Sequence, residues 1–517
     1  MYYFNYKKIS CLLAMMTFII ALFCTTVAVP PSNFNDENAG TEENPFLIST
    51  LANLRWLSET VEVWGEVEFD EYFEEFEVIN RSYFKQTANI DATETRDWNA
   101  GHGFSPIGTA SINPVTGEEI LIPFTGVYDG GGFIISSLYI NPLDIPQYDT
   151  ISGFYGMIIG ATITNVNLFE IEILRGYTAG SIAAFAWGSM ISFSGATGNI
   201  SGDLIEVGGL IGLSLETSIE NCYSLININV RGAETVGGLV ASNFGSNIKN
   251  AFFKGEIVNE SEYWETYMAG IAGVVFPAEI DFLKERKSKS YIFNSKNTVA
   301  TRFISEISNV YAVITKSSDD VYGLASLLLF SMLTNSFWDT EISNIDEPFK
   351  EEFFGGIEDC FGLSSQALKQ AQTYVNNGWD FDTIWTIHPD KNDGYPILQT
   401  MPDPIVSDND EVNTLKPLSH SFAFPNPVRN SDLNIKWQFE SSTNSPSIQT
   451  EISIFNVRGQ LVNKSFMPSS SGFSINGENM FTWDKKDHTG QIVPSGVYFY
   501  RIENGNQTHT GRFLLVK

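Results

Sequence analysis

The sequence predicts an all-β chain, a parallel β-helix-like solenoid followed by a C-terminal β-sandwich. Three observations carry this expectation. First, Val207-Gly208-Gly209-Leu210-Ile211 returns 29 residues later as Val236-Gly237-Gly238-Leu239-Val240. Ile219-Glu220-Asn221-Cys222-Tyr223 returns, again after 29, as Ile248-Lys249-Asn250-Ala251-Phe252. A fixed period of this size marks stacked units, each burying its apolar side only against its neighbours. Second, apolar runs between about 150 and 276 are short and broken by Gly, Asn and Ser, which suits strands rather than helices. Third, from Ser419 the pattern becomes that of a sandwich. Ile452, Ile454, Phe455 and Val457 alternate, Val497 to Ile502 follow Pro494-Ser495-Gly496, and Gly511 to Lys517 close the chain.

Weaker copies extend the repeat upstream. Ile163-Thr164-Asn165-Val166 and Ile191-Ser192-Phe193-Ser194 each stand 28 residues before the next copy. Gly153-Phe154-Tyr155-Gly156 and Ala179-Gly180-Ser181-Ile182 occupy the place of the glycine phrase. Each coil would supply two or three short strands stacking at ~4.8 Å. The paired glycines mark close backbone approach or a tight corner, and Asn165, Asn221 and Asn250 suit coil corners, where Asn bonds backbone groups. Rows of Leu210 with Leu239, and of Ile219 with Ile248, should point inward.

The remaining segments fall into order around this repeat. Residues 1–28 read as a signal peptide: Lys7 and Lys8, an apolar stretch from Ile9 to Phe23, then small residues to Ala28. Residues 29–43 are polar and loose. The solenoid with its caps spans 44–400, opening on a helix with Leu51, Leu54, Trp56 and Leu57 on one face and Ser49 or Thr50 as cap. Tyr83 to Ala92 reads as a strand. Residues 277–335 depart from the repeat, with a charged stretch from Asp281 to Lys289 and a dense apolar run from Leu324 to Leu333, a buried strand or helix. Phe361 to Leu368 suggests a short capped helix, and the segment through Trp379, Trp385 and Asp393-Gly394-Tyr395-Pro396 a closing cap on the solenoid's end. A Pro- and acid-rich linker covers 401–418, and the sandwich 419–517.

Two resemblances follow from these phrases. Gly209-Leu210-Ile211-Gly212 resembles the GLUG motif; the second copy, Gly238-Leu239-Val240-Ala241, has lost its last glycine. Asn44-Pro45-Phe46, Phe104-Ser105-Pro106-Ile107-Gly108, Tyr128-Asp129-Gly130-Gly131-Gly132, Ser336-Phe337-Trp338-Asp339-Thr340 and Asp393-Gly394-Tyr395-Pro396 match the wider bacterial surface proteins that carry it. This likeness implies a secreted or surface-exposed, adhesin-like β-helical protein and brings no catalytic residues. The tail resembles the C-terminal sorting domain of type IX secretion in Bacteroidetes-like bacteria, an Ig-like sandwich. The matching text is Pro425-Asn426-Pro427, Ile454 to Gln460, Trp483-Asp484, Pro494 to Tyr500 and Leu514 to Lys517. Asp484-Lys485-Lys486-Asp487 departs from the family's usual Asp-Gly-x-Asp. With the N-terminal signal read as directing Sec export, the tail implies passage across the outer membrane by contact with the secretion machinery, and release or attachment at the cell surface.

Composition narrows the function. Lys and Arg number 30 against 61 Asp and Glu, a net charge of −31. That field repels nucleic-acid phosphates and anionic lipid. Beyond the signal no apolar stretch is long enough to span a membrane. Cys222 and Cys360 are the two cysteines outside the signal, too few for a disulfide framework; a single bridge between them is left open. The five histidines show no zinc-ligand spacing, and there is no HExxH, no G-x-S-x-G and no P-loop. His102, between two glycines, reads as a turn residue. Paired acids deserve weighing, since glycoside hydrolysis needs two carboxylates ~5–10 Å apart. Asp339 with Glu341, and Asp380 with Asp382, sit inside scaffold phrases and read as turn and cap residues. The acidic, aromatic run from Glu68 to Glu77 offers carboxylates to calcium or a basic partner, but a solvated helix face or loop explains it more simply. The expectation is a non-enzymatic binding protein of the cell surface, with no catalytic, cofactor-binding or metal residues, no cofactor beyond that open question of calcium, and a surface protein or glycan as partner. The alternatives are a polysaccharide-degrading enzyme on the β-helix and a structural spacer without a specific ligand.

Overall fold

The computed structural model describes residues 26–515 apart from 71–74, 113–118, 143–149, 261–265, 279–304, 354, 403–419, 425–432, 439–449, 457, 459, 468–478 and 505–506. The signal's charged and apolar parts, the Asp281–Lys289 stretch, the linker from 403 and Pro425-Asn426-Pro427 lie outside the described residues. The chain forms two compact units, Met1–Asp408 and Asn409–Lys517.

The first unit is a stack of coils built on parallel sheets. One coil runs through strands Glu206–Gly208, Ile211–Leu215, Ser218–Glu220 and Tyr223–Arg231. These define four faces. The first face is a six-stranded sheet, the second a seven-stranded sheet, and the third and fourth are joined into one sheet of sixteen strands. The joining is visible at Asn247–Glu260, a single strand that pairs with both Ser218–Glu220 and Tyr223–Arg231.

Register is set by the repeat. Leu210 N–H donates to the Leu239 carbonyl at 2.9 Å and Leu239 N–H to Ile271 at 3.0 Å. Phe154, Ile182, Leu210, Leu239, Ile271 and Leu324 form one buried inward row, and Ile163, Ile191, Ile219, Ile248 and Ile307 another. The paired glycines lie outside the left-handed region; space is what they provide. A Cβ on Gly208 would stand 1.8 Å from the Ile211 carbonyl oxygen, and one on Gly209 would stand 2.0 Å from that of Gly238. Gly212, the last residue of the phrase, leaves room for Thr178 of the first face, whose Cγ2 would meet a Cβ at 2.4 Å.

The corners use positive φ instead. Between the third and fourth faces, Asn165, Phe193, Asn221, Asn250, Asn309, Asn335 and Asp359 all take left-handed backbone. Asn250 donates through Nδ2 to Asn221 Oδ1 at 3.3 Å and Asn309 to Asn250 at 3.1 Å, so the corner asparagines bond one another rather than only the backbone. Between the second and third faces, Gly160, Gly188, Glu216, Gly245 and Phe330 do likewise. A row of hydroxyls follows that corner. Ala161, Ser189 and Thr217 N–H donate to the side chains of Ser189, Thr217 and Ser246 in the next coil.

The repeat runs further than its 29-residue period. Strands Glu306–Ser317 and Met332–Asp339 resume the stack within the region that looked irregular, and Gly356–Leu363 continues it. The run from Leu324 to Leu333 is two strands parted by left-handed Phe330. Tyr83 to Ala92 is likewise two strands, Tyr83–Gln86 and Ile90–Asp91. At the first end, helix Leu51–Glu59 packs Leu54, Trp56 and Leu57 inward, with Thr50 Oγ1 accepting Asn53 N–H.

Two outer surfaces are covered by the chain itself. On the second face, Met157, Phe185, Trp187, Phe244 and Phe276 point outward yet are buried, with Val67, Phe76 and Leu121 packed against the group. Those three come from antiparallel hairpins, Glu66–Asp70 with Glu75–Asn80 and Thr109–Ile112 with Glu119–Ile122. The described ends of the acidic run read as a helix face or loop, 68–70 and 75–77, belong to the strands of the first hairpin: period-two alternation sends Val67, Phe76 and Val78 to one side and Glu68 and Glu77 to the other. Phe76 stacks edge-on to Trp187 at 5.0 Å and lies over Gly188, where a Cβ would meet its ring at 2.4 Å. On the fourth face, Tyr223, Phe252, Tyr311 and Phe337 form an outward aromatic row; Phe252 and Tyr311 stack at 4.9 Å. Leu368, Tyr374, Trp379, Trp385, Tyr395 and Ile397 bury this row. The segment expected to close the solenoid's end thus lies along its flank, drawn there by the aromatic row.

The second unit has a three-stranded antiparallel sheet, His420–Phe424, Leu433–Gln438 and Asn479–Trp483, and a four-stranded one, Leu461–Met467, Thr450–Asn456, Gly496–Asn504 and Gln507–Leu515. Leu433, Ile435, Ile452, Ile454, Trp483, Tyr500 and Leu515 form its core, the sandwich the alternation predicted.

Leu210→Ala is expected to destabilise the solenoid by about 2–5 kcal/mol, since it opens a cavity in a continuous inward row. Gly238→Ala, whose methyl would stand 2.1 Å from the Gly270 carbonyl oxygen, should be at least as damaging. Denaturant unfolding of both variants checks this; wild-type midpoints would contradict the register.

Candidate functional site

Among the described residues, no apolar cluster packs over the outer side of the third face. Its strands are Val127–Asp129, Thr162–Thr164, Met190–Ser192, Ser218–Glu220 and the leading residues of Asn247–Glu260, Glu306–Ser317, Met332–Asp339 and Gly356–Leu363. Three-residue pieces with Tyr128, Leu333 or an isoleucine in the middle put one side chain inward and two outward. The outward ones form two columns. Thr162, Met190, Ser218, Asn247, Glu306 and Met332 make one, and Asp129, Thr164, Ser192, Glu220, Lys249, Ser308 and Thr334 the other. Hydroxyls, amides and carboxylates thus repeat at strand spacing, ~4.8 Å. Ser192 Oγ donates to Thr164 Oγ1 at 3.2 Å, and Asn247 Oδ1 accepts Glu306 N–H at 3.0 Å. Met190, Glu220, Asn247, Lys249 and Glu306 are exposed. At the adjoining corner Phe193 is exposed too. The repeat phrase held the signal for this residue, because Phe193 stands where the other copies have Asn.

The acids weighed for chemistry serve local structure. Asp339 is fully buried; Oδ1 accepts the N–H groups of Glu341 and Ile342, both at 2.9 Å, and Oδ2 accepts the Tyr395 hydroxyl at 2.6 Å. Burial, with the Asp339 bond, raises that phenol above its usual pKa. Glu341 accepts Ser365 N–H at 3.0 Å, at the start of a short helix. Asp380 accepts Asp382 and Thr383 N–H, both at 2.8 Å, and the Thr383 hydroxyl bond holds its carboxyl below the ordinary value. Glu68 faces Glu77 and Asp70 faces Glu75 across the first hairpin. His102 Nδ1 lies 3.1 Å from the Asn141 carbonyl oxygen, in a turn. Among the described residues no three His, Cys, Asp or Glu side chains are grouped to hold a metal ion.

Cys222 and Cys360 are free. Both occupy one row, running Cys222, Ala251, Val310, Ser336, Cys360. Four coil steps separate them by ~19 Å, against the ~4.4–6.8 Å between Cα atoms that a disulfide allows. Burial pushes each thiol up to about 12.

The sandwich carries its own turn chemistry. Asn456 Oδ1 accepts Arg458 and Gln460 N–H at 3.0 and 3.1 Å, shaping the turn after one core strand. Asp487 does the same for Thr489 and Gln491 at 2.8 and 3.0 Å. Lys485, at the position where the departure from Asp-Gly-x-Asp occurs, takes φ 62°, a left-handed conformation that glycine adopts freely.

Comparison with known proteins agrees with both units. Residues 423–517 are a "Secretion system C-terminal sorting domain", and residues 232–258 carry "The GLUG motif". The chain is therefore a type IX cargo, exported through contact with the secretion machinery and carried to the cell surface. Halomucin of Haloquadratum walsbyi is 27% identical over 217 residues, 41% of this chain and 2% of halomucin; the chain spans a small fraction of that curated relative. Among solved structures, dimeric latent PorU of Porphyromonas gingivalis is 21% identical, with a TM-score of 0.17, over 20% of this chain and 10% of that one. PorZ, a surface component of the type-IX secretion system of the same organism, is 19% identical, with a TM-score of 0.14, over 19% and 11%. Among the described residues no helix is long and apolar enough to cross a membrane.

Two outcomes test these assignments. Deleting 419–517 should leave the solenoid folded and held in the periplasm; normal extracellular levels of the truncated chain would contradict the sorting role. In native protein at pH 8, iodoacetamide should label Cys222 and Cys360 slowly, and both fully after denaturation. A folded pKa raised above the unfolded one keeps the thiol protonated until high pH, so rapid native labelling would contradict their burial.

Proposed function

We propose that the protein is a non-enzymatic binding protein of the cell surface, adhesin-like, with the third face of the solenoid as its contact surface to a protein or glycan of another surface. One observation carries this reading. Among the described residues, the apolar outer sides of the second and fourth faces are covered by hairpins and by the segment from Leu368 to Ile397, while no such cluster covers the third face over successive coils. Flat rows of hydroxyl, amide and carboxylate groups suit contact with an extended polar ligand. Exposed Met190 and Phe193 speak against a spacer with no ligand. The acid pairs considered for polysaccharide cleavage are occupied in caps and turns, which favours binding over hydrolysis. The reading calls for no cofactor and no bound calcium.

Ser218→Arg with Ser308→Arg places two long cations on the third face without touching the inward rows. Cells displaying this variant should lose most of their adhesion to immobilised glycan or protein surfaces while its melting temperature stays that of wild type. Unchanged adhesion would remove the third face from the proposal. Wild-type protein incubated with polysaccharides should release no reducing ends; release proportional to protein concentration would favour the enzyme.

A further inference from the structure

We infer that Phe193 is the stacking platform of a carbohydrate subsite on the third face, taking a neutral pyranose unit of a glycan. This rests on the surface-binding reading above and names its ligand class.

The inference starts from a residue the fold does not ask for. Position 193 lies in the corner row where Asn165, Asn221, Asn250, Asn309, Asn335 and Asp359 take φ between 50° and 55°. Asn and Asp enter that region readily, whereas a bulky side chain there is a real outlier. Phe193 nevertheless holds φ 50°. Burial does not compensate, for its surface is 40% exposed. The same residue also interrupts the amide ladder. Asn309 bonds Asn250 and Asn250 bonds Asn221, but the ladder stops before Asn165, which turns to Asp129 Oδ1 at 2.8 Å instead. An asparagine at 193 would relieve the backbone and bridge the gap. Strain that the fold leaves uncompensated gathers where a side chain does something else.

The surroundings say what that is. Asn165 and Asn221 hold the same corner position in the coils on either side, one strand spacing of ~4.8 Å away along the stack. Ser192, buried and adjacent in the chain, bonds the partly exposed Thr164 hydroxyl of the neighbouring coil at 3.2 Å. Phe193 N–H donates to the Glu220 carbonyl at 3.1 Å, and the exposed Glu220 carboxylate belongs to the adjacent outward column. Met190, 46% exposed, is three residues away on the same coil. One aromatic ring beside amides, hydroxyls and a carboxylate suits a pyranose, whose C–H face lies on the ring while its hydroxyls bond the polar groups. A protein partner would need an apolar centre within an interface of roughly 1,200–2,000 Å², which one ring and one methionine do not supply. The net charge of −31 and the nearby carboxylate exclude an anionic polysaccharide.

The test is affinity electrophoresis of the full secreted chain in gels holding laminarin, xyloglucan, mannan or alginate. Wild type, Phe193→Asn and Phe193→Tyr are compared, each with its melting temperature. Wild type should be retarded by at least one neutral polysaccharide and not by alginate. Phe193→Asn should weaken that binding by about tenfold or more, the loss of one stacked ring, with a melting temperature equal to or above wild type. Phe193→Tyr should keep it. Equal binding by wild type and Phe193→Asn would overturn the subsite while leaving the surface reading intact. A lower melting temperature for Phe193→Asn would overturn the strain on which the inference stands. If wild type binds none of the neutral polysaccharides but the arginine pair on the third face still reduces cell adhesion, the ligand class is wrong and surface binding survives. If neither effect is seen, the surface reading itself fails.

Discussion

The solenoid depends on one constraint: successive coils must meet at the hydrogen-bonding distance of a parallel sheet. At that spacing the backbone of the next coil occupies the space where a Cβ of Gly209 or Gly238 would stand, while the tight corner brings the coil's own Ile211 and Val240 carbonyls into that space at Gly208 and Gly237. The same spacing lines up like residues. Inward Leu and Ile rows become a continuous core, corner asparagines find each other's amides, and the hydroxyls of Ser189, Thr217 and Ser246 each accept an N–H from the preceding coil. Buried polar groups at the corners are thereby satisfied within the stack, as an elongated core requires.

From this scaffold the outer faces acquire different roles. Rows of large apolar side chains outside the second and fourth faces would be liabilities on a secreted protein, and the chain covers them. Gly160 and Gly188 serve twice here, turning the chain at positive φ and seating Phe76 of the hairpin. Tyr223 lies across Gly195 to reach Asn167 Oδ1 at 2.8 Å, beginning the aromatic row that the C-terminal segment overlies. Phrases that look conspicuous in the sequence meet in this packing: Asp339 of Ser336-Phe337-Trp338-Asp339-Thr340 holds Tyr395 of Asp393-Gly394-Tyr395-Pro396. Addressing is then a property of the sandwich, which carries the export signal, and on the proposed reading recognition belongs to the solenoid.

The solenoid was legible where repetition made it so. Two copies of one phrase, 29 residues apart, were enough to place Leu210 on Leu239 and Ile219 on Ile248, and the corner asparagines were visible as recurring letters. Two things escaped. Glu306–Ser317 carries the phrase again as Ile307-Ser308-Asn309-Val310-Tyr311, but its coil lies 59 residues beyond the one before it instead of 29, so the fixed period does not reveal it. The Glu66–Asn80 hairpin alternates acids with aromatics, but its apolar side is explained only by Trp187 and Gly188, more than a hundred residues away. Long-range burial of this kind leaves a period-two pattern and no statement of its partner. The third face was equally silent, since exposure is not written in a sequence. Its one local mark was Phe193 in place of Asn.

The account's central claim is a single in-register stack that presents the third face as a flat, regular surface. It is tested most directly by pulsed dipolar spectroscopy on spin labels at Thr164 and Thr334, which share one outward column five coil steps apart. The account predicts a narrow distribution centred near about 24 Å, five times the parallel-strand spacing. A broad distribution, or one centred at a much longer distance, would contradict the stack and the face built on it.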